Sequence, residues 1–351
     1  MSSLRKTVLV LGAGFTRAFL PKAPLMVDDY GGDILLEEFQ RFPHAKAILA
    51  EELARNTGRK IDVERLLTRL YGLMPYDFQS DAQKELAVLY SAVVKAFMAR
   101  LESSKDERPH SDELKRFAGF CVTNDVTCIT FNYDDVLDEA LQDVEGIGTK
   151  RRVPLGERYW HPDGGYGFFC RPSATTVRDV YHFMDKTSML LLKLHGSINW
   201  RARAGYPRPY SIDAILHHES WLRYILGDEV ADGAIEFHLE SEPFIVPPIL
   251  SKSAIVEQPV LRVVWSRARE ELSRAGEVVF VGYSLPRTDI ASAFLFSEAI
   301  QPATNVSVVN HVGTGASRRR LEETYLETLP NVRLEFQYRD ALDWSQEFAS
   351  R

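Results

Sequence analysis

Six short runs along the chain are rich in Val, Ile, Leu or Phe, at 7–11, 126–131, 188–194, 277–282, 304–310 and 331–337. Most are nearly continuous rather than alternating, which suits strands buried on both faces of a parallel sheet covered by helices. Between the later runs, 257–275, 289–300 and 315–328 carry apolar residues at helical spacing, so the chain ends in a β-α-β-α-β pattern. The pattern predicts an α/β fold with a doubly wound, Rossmann-like parallel sheet.

Residues 31–115 differ. The stretches ILLEEFQRF, HAKAILAEELARN, DVERLLTRLYGLM and AQKELAVLYSAVVKAFMARLESS all have helical periodicity, so this region reads as a helical insertion after the first strand. Residues 146–185 are rich in Gly, Pro and aromatics and read as a loop-rich insertion near the active site. The sheet domain is then assembled from 1–30, 116–145 and 186–351, with 201–250 mixing loop, a short helix and a hairpin. The start, MSSLRKTVLVLGAGF, has basic residues before an apolar run, as a signal peptide does. That run is short, stops at Gly12 and lacks a small-residue cleavage site, so it reads as a first strand.

With 351 residues and 45% hydrophobic content, the chain can bury an ample core. A net charge of −7 argues against a nucleic-acid-coating surface, and no direct nucleic-acid binding is expected. The three cysteines, Cys121, Cys128 and Cys170, are too few for a disulfide framework and suggest a reducing cytoplasm. No apolar run approaches the ~18 residues of a membrane span, so no membrane partner is expected.

Chemistry gathers where strands end. TVLVLGAGFT at 7–16 runs into a glycine turn, VTCITFNYD at 126–134 ends in Asn132 and Asp134, and SMLLLKLHGS at 188–197 ends in His195. Carboxyl ends of parallel strands are where such sheets bind ligands. Glycines let a backbone approach pyrophosphate, and the N–H groups opening a helix favour its charge. Position 17 is Arg rather than the third glycine of the dinucleotide fingerprint, and no acidic strand end follows at the required distance, which disfavours an ordinary dehydrogenase. A neutral His can take a proton from water or a ribose hydroxyl, and an Asn amide can position either. The whole points to a nucleotide-handling enzyme.

The order GAGFT, TFNYD, LHGS, VGYSL and VVN resembles the NAD⁺ site of the sirtuin family, across residues 12 to about 341. That resemblance implies a sirtuin-type sheet with Gly12, Ala13, Gly14, Phe15 and Thr16 at the phosphates. It puts Asn132 and Asp134 at the nicotinamide ribose and nicotinamide pocket, and makes His195 the general base. Gly282, Tyr283 and Ser284 become the second phosphate turn, Asn310 an adenosine contact, and Asp340-Ala341 the late adenine-side loop. Sirtuin deacylases also carry two CxxC pairs, and a structural zinc needs four such ligands. Three cysteines with no CxxC cannot make that module, so no zinc is expected. The family's segment after the glycine turn is replaced by FLPKAPLMVDDY, and Asn132 and His195 are far apart in sequence.

These departures resemble the zinc-free sirtuin-like proteins of bacterial antiphage defence, which hydrolyse NAD⁺ as substrate. The resemblance implies cleavage to nicotinamide and ADP-ribose, a cyclised product remaining open. It also implies a homo-oligomer regulated by a partner such as a HerA-type ATPase or a short Argonaute. The alternatives are a protein-lysine deacylase using the same site and a non-catalytic NAD or ADP-ribose sensor. Other candidates read more plainly. His217 and His218 with Glu219 could suggest a metal, but adjacent histidines on a helix point in different directions, so they read as a surface pair. Asp62 and Glu64 favour a helix start. The aromatic cluster Tyr159, Trp160, Tyr166, Phe168 and Phe169 could stack on a base but reads first as loop packing or an interface, and Arg318-Arg319-Arg320 is a solvated face before it is a phosphate or partner contact.

Overall fold

The computed structural model describes residues 6–28, 39–40, 42–55, 60–71, 80–106, 109–144, 160, 162–168, 189–202, 242–246 and 258–351. The elements in chain order begin with β1 (Thr7–Leu11), α1 (Ala13–Phe19), β2 (Val27–Asp28), α2 (Pro43–Arg55), β3 (Ile61–Asp62), α3 (Val63–Tyr71) and α4 (Ser80–Ser103). There follow α5 (Ser111–Thr123), β4 (Thr127–Thr130), α6 (Val136–Asp143), α7 (Pro162–Gly165), β5 (Leu191–Lys193), β6 (Gly196–Ala202) and β7 (Glu242–Ile245). The chain closes with α8 (Pro259–Arg274), β8 (Glu277–Val281), α9 (Ile290–Ala299), β9 (Asn305–Val309), α10 (Gly315–Thr328), β10 (Leu334–Gln337) and α11 (Ala341–Phe348). It divides into one unit of residues 1–19, 108–245 and 255–351 and another of 20–107 and 246–254.

The first unit is an α/β domain on a six-stranded parallel sheet in the order β10-β9-β8-β1-β4-β5. The chain works outward from β1 through β4 to β5, then returns to β8 and works outward the other way. That is the doubly wound order, with its switch point between β1 and β8. The apolar runs fill its middle: Val8, Leu9, Val10, Ile129, Val278 and Phe280 are all fully buried or nearly so. Because crossovers are right-handed, reversing direction puts helices on both faces. Phe15 of α1, Phe117 of α5 and Phe348 of α11 pack together, with ring centroids 5.3 and 6.2 Å apart. Phe280 of β8 sits 5.0 Å from both Phe296 of α9 and Tyr325 of α10.

Strand register aligns the motifs. Leu11 pairs with Thr130 and with Val281, Thr130 with Lys193, Val281 with Val309, and Val309 with Gln337. These six residues form one row across the sheet. Gly12, Phe131, Leu194, Gly282 and Asn310 therefore leave the sheet abreast, and Asn132 and His195 each stand two residues beyond the row. Helix starts follow ordinary local chemistry. Pro259 opens α8, and Asp289, Thr314 and Asp340 cap α9, α10 and α11 by accepting from backbone N–H groups.

The second unit contains α2, α3, α4 and the two-stranded antiparallel β2–β3 pair. Its core includes Leu66, Leu67, Leu89, Val93 and Phe97. Asp62 accepts from the Arg65 N–H at 3.1 Å, the capping role expected of it. Helix α5 belongs to the sheet unit rather than to this one. His217, His218, Glu219, Cys170, Tyr159, Phe169 and most of 146–185 lie outside the described residues. Among the described residues no helix is long and apolar enough to cross a membrane.

Candidate functional site

The glycine turn at the end of β1 is packed against the turn at the end of β8. Gly12 N–H donates to the Val281 carbonyl at 3.0 Å, and Gly14 N–H to the Gly282 carbonyl at 2.9 Å. A Cβ on Gly12 would stand 2.5 Å from the Gly282 oxygen, and one on Gly14 would stand 2.9 Å from Gly282 Cα. Gly282 has φ +62, which only glycine adopts without strain. These three glycines are therefore required by backbone meeting backbone across the switch point. Ala13 begins α1 between them, and the Phe15 ring is buried 4.9 Å from Phe19.

Asn132, Thr16 and Asp134 form one network. Asn132 Nδ2 donates to the Gly12 carbonyl at 2.8 Å and to Thr16 Oγ1 at 2.9 Å. Thr16 Oγ1 donates in turn to Asp134 Oδ2 at 2.7 Å, and Asp134 Oδ1 accepts from Val136 N–H at 3.2 Å. Both amide hydrogens of Asn132 are thereby used, leaving its carbonyl oxygen as the group able to accept from a ligand hydroxyl or water. Burial pushes the Asp134 carboxyl above its ordinary value, while Lys193 and the Thr16 hydroxyl pull it back down. Thr16, Asn132, Asp134, Asp138 and Lys193 are the polar wall of a cavity of about 20 Å³, room for a single water molecule.

His195 lies in a separate aromatic setting reached through Phe131. It is buried, with ring centroids of Phe131, Tyr133 and Trp265 at 5.3, 6.1 and 6.5 Å. Trp265 is held by its indole N–H donating to the Leu194 carbonyl at 2.8 Å. Gly196, φ +78, follows because a side chain there would collide with the Phe244 carbonyl of the antiparallel β6–β7 pair. Alternation along the β4 end accounts for the split: Phe131 faces His195 and Tyr283, and the next residue, Asn132, faces Gly12 and Thr16.

Tyr283 is core rather than ligand-facing. Its ring stacks 4.7 Å from Phe131, and its hydroxyl donates to Asp289 at 3.2 Å. Its carbonyl accepts from Asn310 Nδ2 at 3.2 Å and from Tyr325 at 2.8 Å, so Asn310 ties the β9 end to the second turn. Ser284 is exposed beside it. Asp340 Oδ1 accepts from Leu342 N–H at 2.7 Å and Ala341 is buried, so both serve the start of α11. Arg318 stacks 4.6 Å from the Tyr338 ring centroid. Arg319 and Arg320, with Arg287 and Glu323, line a groove of about 560 Å³, and Arg287 is paired with Glu327.

One group was not anticipated from the sequence. Lys193, the last residue of β5, is fully buried, and its ammonium donates to the Asp134 carbonyl at 2.5 Å and to Asp138 Oδ2 at 2.9 Å. Asp138 Oδ1 accepts from the Tyr166 hydroxyl and, at 3.2 Å, from Asn199 Nδ2. Tyr166 packs edge-on to Trp160 and Trp200, at 5.2 and 5.1 Å. These described aromatics pack on one another. The available signal was a lone lysine inside the apolar run MLLLKLHG, a position that only a buried partner makes tolerable.

No protein-family model matches the chain, and no curated protein matches it. Among solved structures it is similar to a Sir2 homologue in complex with NAD, at 13% identity and TM-score 0.41, over 99% of this chain and 89% of that one. It is likewise similar to a mutant Sir2 homologue in complex with ADP-ribose, at 14% identity and TM-score 0.44, over 99% of this chain and 92% of that one.

Proposed function

We propose that this protein is a sirtuin-like NAD⁺ glycohydrolase, cleaving NAD⁺ to nicotinamide and ADP-ribose. The observation that carries the reading is the hydrogen-bonded network of Gly12, Thr16, Asn132 and Asp134, which joins the ends of β1 and β4 beside the switch point of a doubly wound sheet. Two motifs from distant parts of the sequence converge there, at the strand ends where such sheets bind nucleotides. The diphosphate would lie along the paired 12–16 and 282–284 turns, and the adenosine toward Asn310. The nicotinamide ribose would face the Asn132 carbonyl oxygen.

In the reaction the C1′–N bond breaks and its electron pair leaves with nicotinamide, building oxocarbenium character at C1′. Water adds to C1′ and its proton passes to His195 and then to solvent, while Asn132, in its separate setting, accepts from a hydroxyl of the nicotinamide ribose. Phe131 and Tyr133 pack against the imidazole ring and fix its place at the strand end. A defence effector that depletes NAD⁺ fits this chemistry. Such an enzyme must be restrained in the resting cell, which supports control by self-assembly or by a partner ATPase or short Argonaute.

The test is NAD⁺ turnover by the purified chain, with products resolved by mass. Asn132→Ala and His195→Ala should each lower turnover by a factor of about 10² to 10⁴ with the fold intact. Near-normal turnover in either variant would overturn that residue's role. Nicotinamide release that depends on an acyl-lysine peptide would identify a deacylase instead, and binding without turnover a sensor.

A further inference from the structure

Among the described residues of the first unit, Lys193 is a fully buried cation that the proposed reaction does not use, and it lines the same cavity as Thr16, Asn132 and Asp134. A lysine there gives up its hydration, so its contacts must replace it. They do so asymmetrically. Asp138 supplies the countercharge at 2.9 Å, and that carboxylate is itself held by Tyr166 and Asn199. The other contact, at 2.5 Å, goes to the main-chain carbonyl of Asp134. The lysine thus spans from a rigid, aromatic-walled anchor to the backbone of the residue that orients Thr16.

We propose that Lys193 is the positioning residue of this site, fixing the Asp134 main chain and through it the Thr16 hydroxyl and the Asn132 amide. This deepens the glycohydrolase reading and rests on it for its catalytic consequence. The chain of contacts is continuous: Lys193 Nζ to Asp134 O, Asp134 Oδ2 to Thr16 Oγ1, and Thr16 Oγ1 to Asn132 Nδ2. Thr16 accepts from Asn132, so its own proton goes to Asp134, which must be an acceptor. A protonated or displaced Asp134 would free Thr16 to turn, and Asn132 would lose its fixed orientation. Lys193 opposes both. It locates the backbone, and its charge opposes the upward push of burial on the Asp134 carboxyl. The other groups acting on that carboxyl are Thr16 and Val136 N–H, which favour ionisation, and Asp135, which opposes it. Asp138 faces it across the ammonium group.

Lys193→Met alone strands the Asp138 charge, so the informative variant is the charge-balanced Lys193→Met/Asp138→Asn pair. The experiment measures three things on the full chain: near-ultraviolet circular dichroism for the fold, NAD⁺ kinetics against pH, and Asp134 carboxyl titration by carbon-13 NMR. The expected result is a folded variant with kcat lower by about 10²-fold, the scale of an ångström-level misplacement, and KM changed far less. Its acid limb should move to higher pH, and the Asp134 carboxyl should titrate higher than in the parent. A folded variant with parental kcat, acid limb and Asp134 titration would overturn the proposal and leave Lys193 as packing only. If the parent itself fails to consume NAD⁺, the glycohydrolase reading fails. The Asp134 titration then still decides the positioning role, because it needs no turnover.

Discussion

Replacing Gly12 with Ala tests whether the glycine turn is built by packing. The added Cβ would stand 2.5 Å from the Gly282 oxygen, 2.5 Å from Tyr283 Cα and 2.7 Å from Tyr283 Cβ. Carbon atoms pack at about 3.5–4.0 Å, so these neighbours must retreat by roughly 1 Å. They are mainly backbone, joined to the glycine turn by the Gly12–Val281 and Gly14–Gly282 hydrogen bonds, and cannot rotate aside. Overpacking of a core costs about 1–3 kcal/mol, and a backbone-on-backbone clash belongs at the upper end. A loss of ~3 kcal/mol lowers Tm by roughly 6–12 °C in a domain of this size. Gly313 is the control, since nothing lies within 4 Å of a Cβ there. Gly313→Ala should stay within about 0.5 kcal/mol of the parent. The assay is thermal unfolding followed by circular dichroism, paired with NAD⁺ binding. Gly12→Ala should also disturb Asn132, whose amide donates to the Gly12 carbonyl. A Gly12→Ala protein that melts with the parent yet no longer binds NAD⁺ would refute the packing argument and return the glycine to pyrophosphate approach.

Thr16→Val removes a hydrogen bond that pulls the Asp134 carboxyl down against burial, so that carboxyl rises further. Activity that needs ionised Asp134 appears as pH climbs through its folded pKa, so the acid limb should move to higher pH in a kcat/KM profile; an unmoved limb contradicts the assignment. Chelators should leave Tm and turnover unchanged, because three cysteines without a CxxC pair cannot build the zinc module, and stoichiometric zinc in metal analysis would contradict this. Light scattering should find a homo-oligomer, with helices of the 31–115 region supplying contacts, and NAD⁺ turnover should rise with the protein encoded next to it. A monomer fully active alone at all concentrations opposes that proposal.

Most strands of the sheet were legible because they are nearly continuous apolar runs, the pattern that burial on both faces imposes; the edge strand β10, LEFQ, alternates and is only partly buried. Runs at 277–282 and 304–310 became β8 and β9 to within a residue at each end, and the three late helices kept their expected places. The polar residues that end those runs named the candidate site, since polar groups interrupt buried strands only at their ends. What the sequence could not supply was register and facing. Leu11, Thr130, Lys193, Val281 and Val309 stand in one row because of interstrand hydrogen bonds between segments far apart in the chain. That row alone brings Gly12 against Gly282 and turns Asn132 toward Thr16. Strand alternation then sends Phe131 to His195 and Tyr283, so motifs adjacent in sequence take different surroundings. Lys193 shows the same limit. Its partner Asp138 lies on α6, and only the folded chain, by removing water from both, makes that lysine a fixed point of the site.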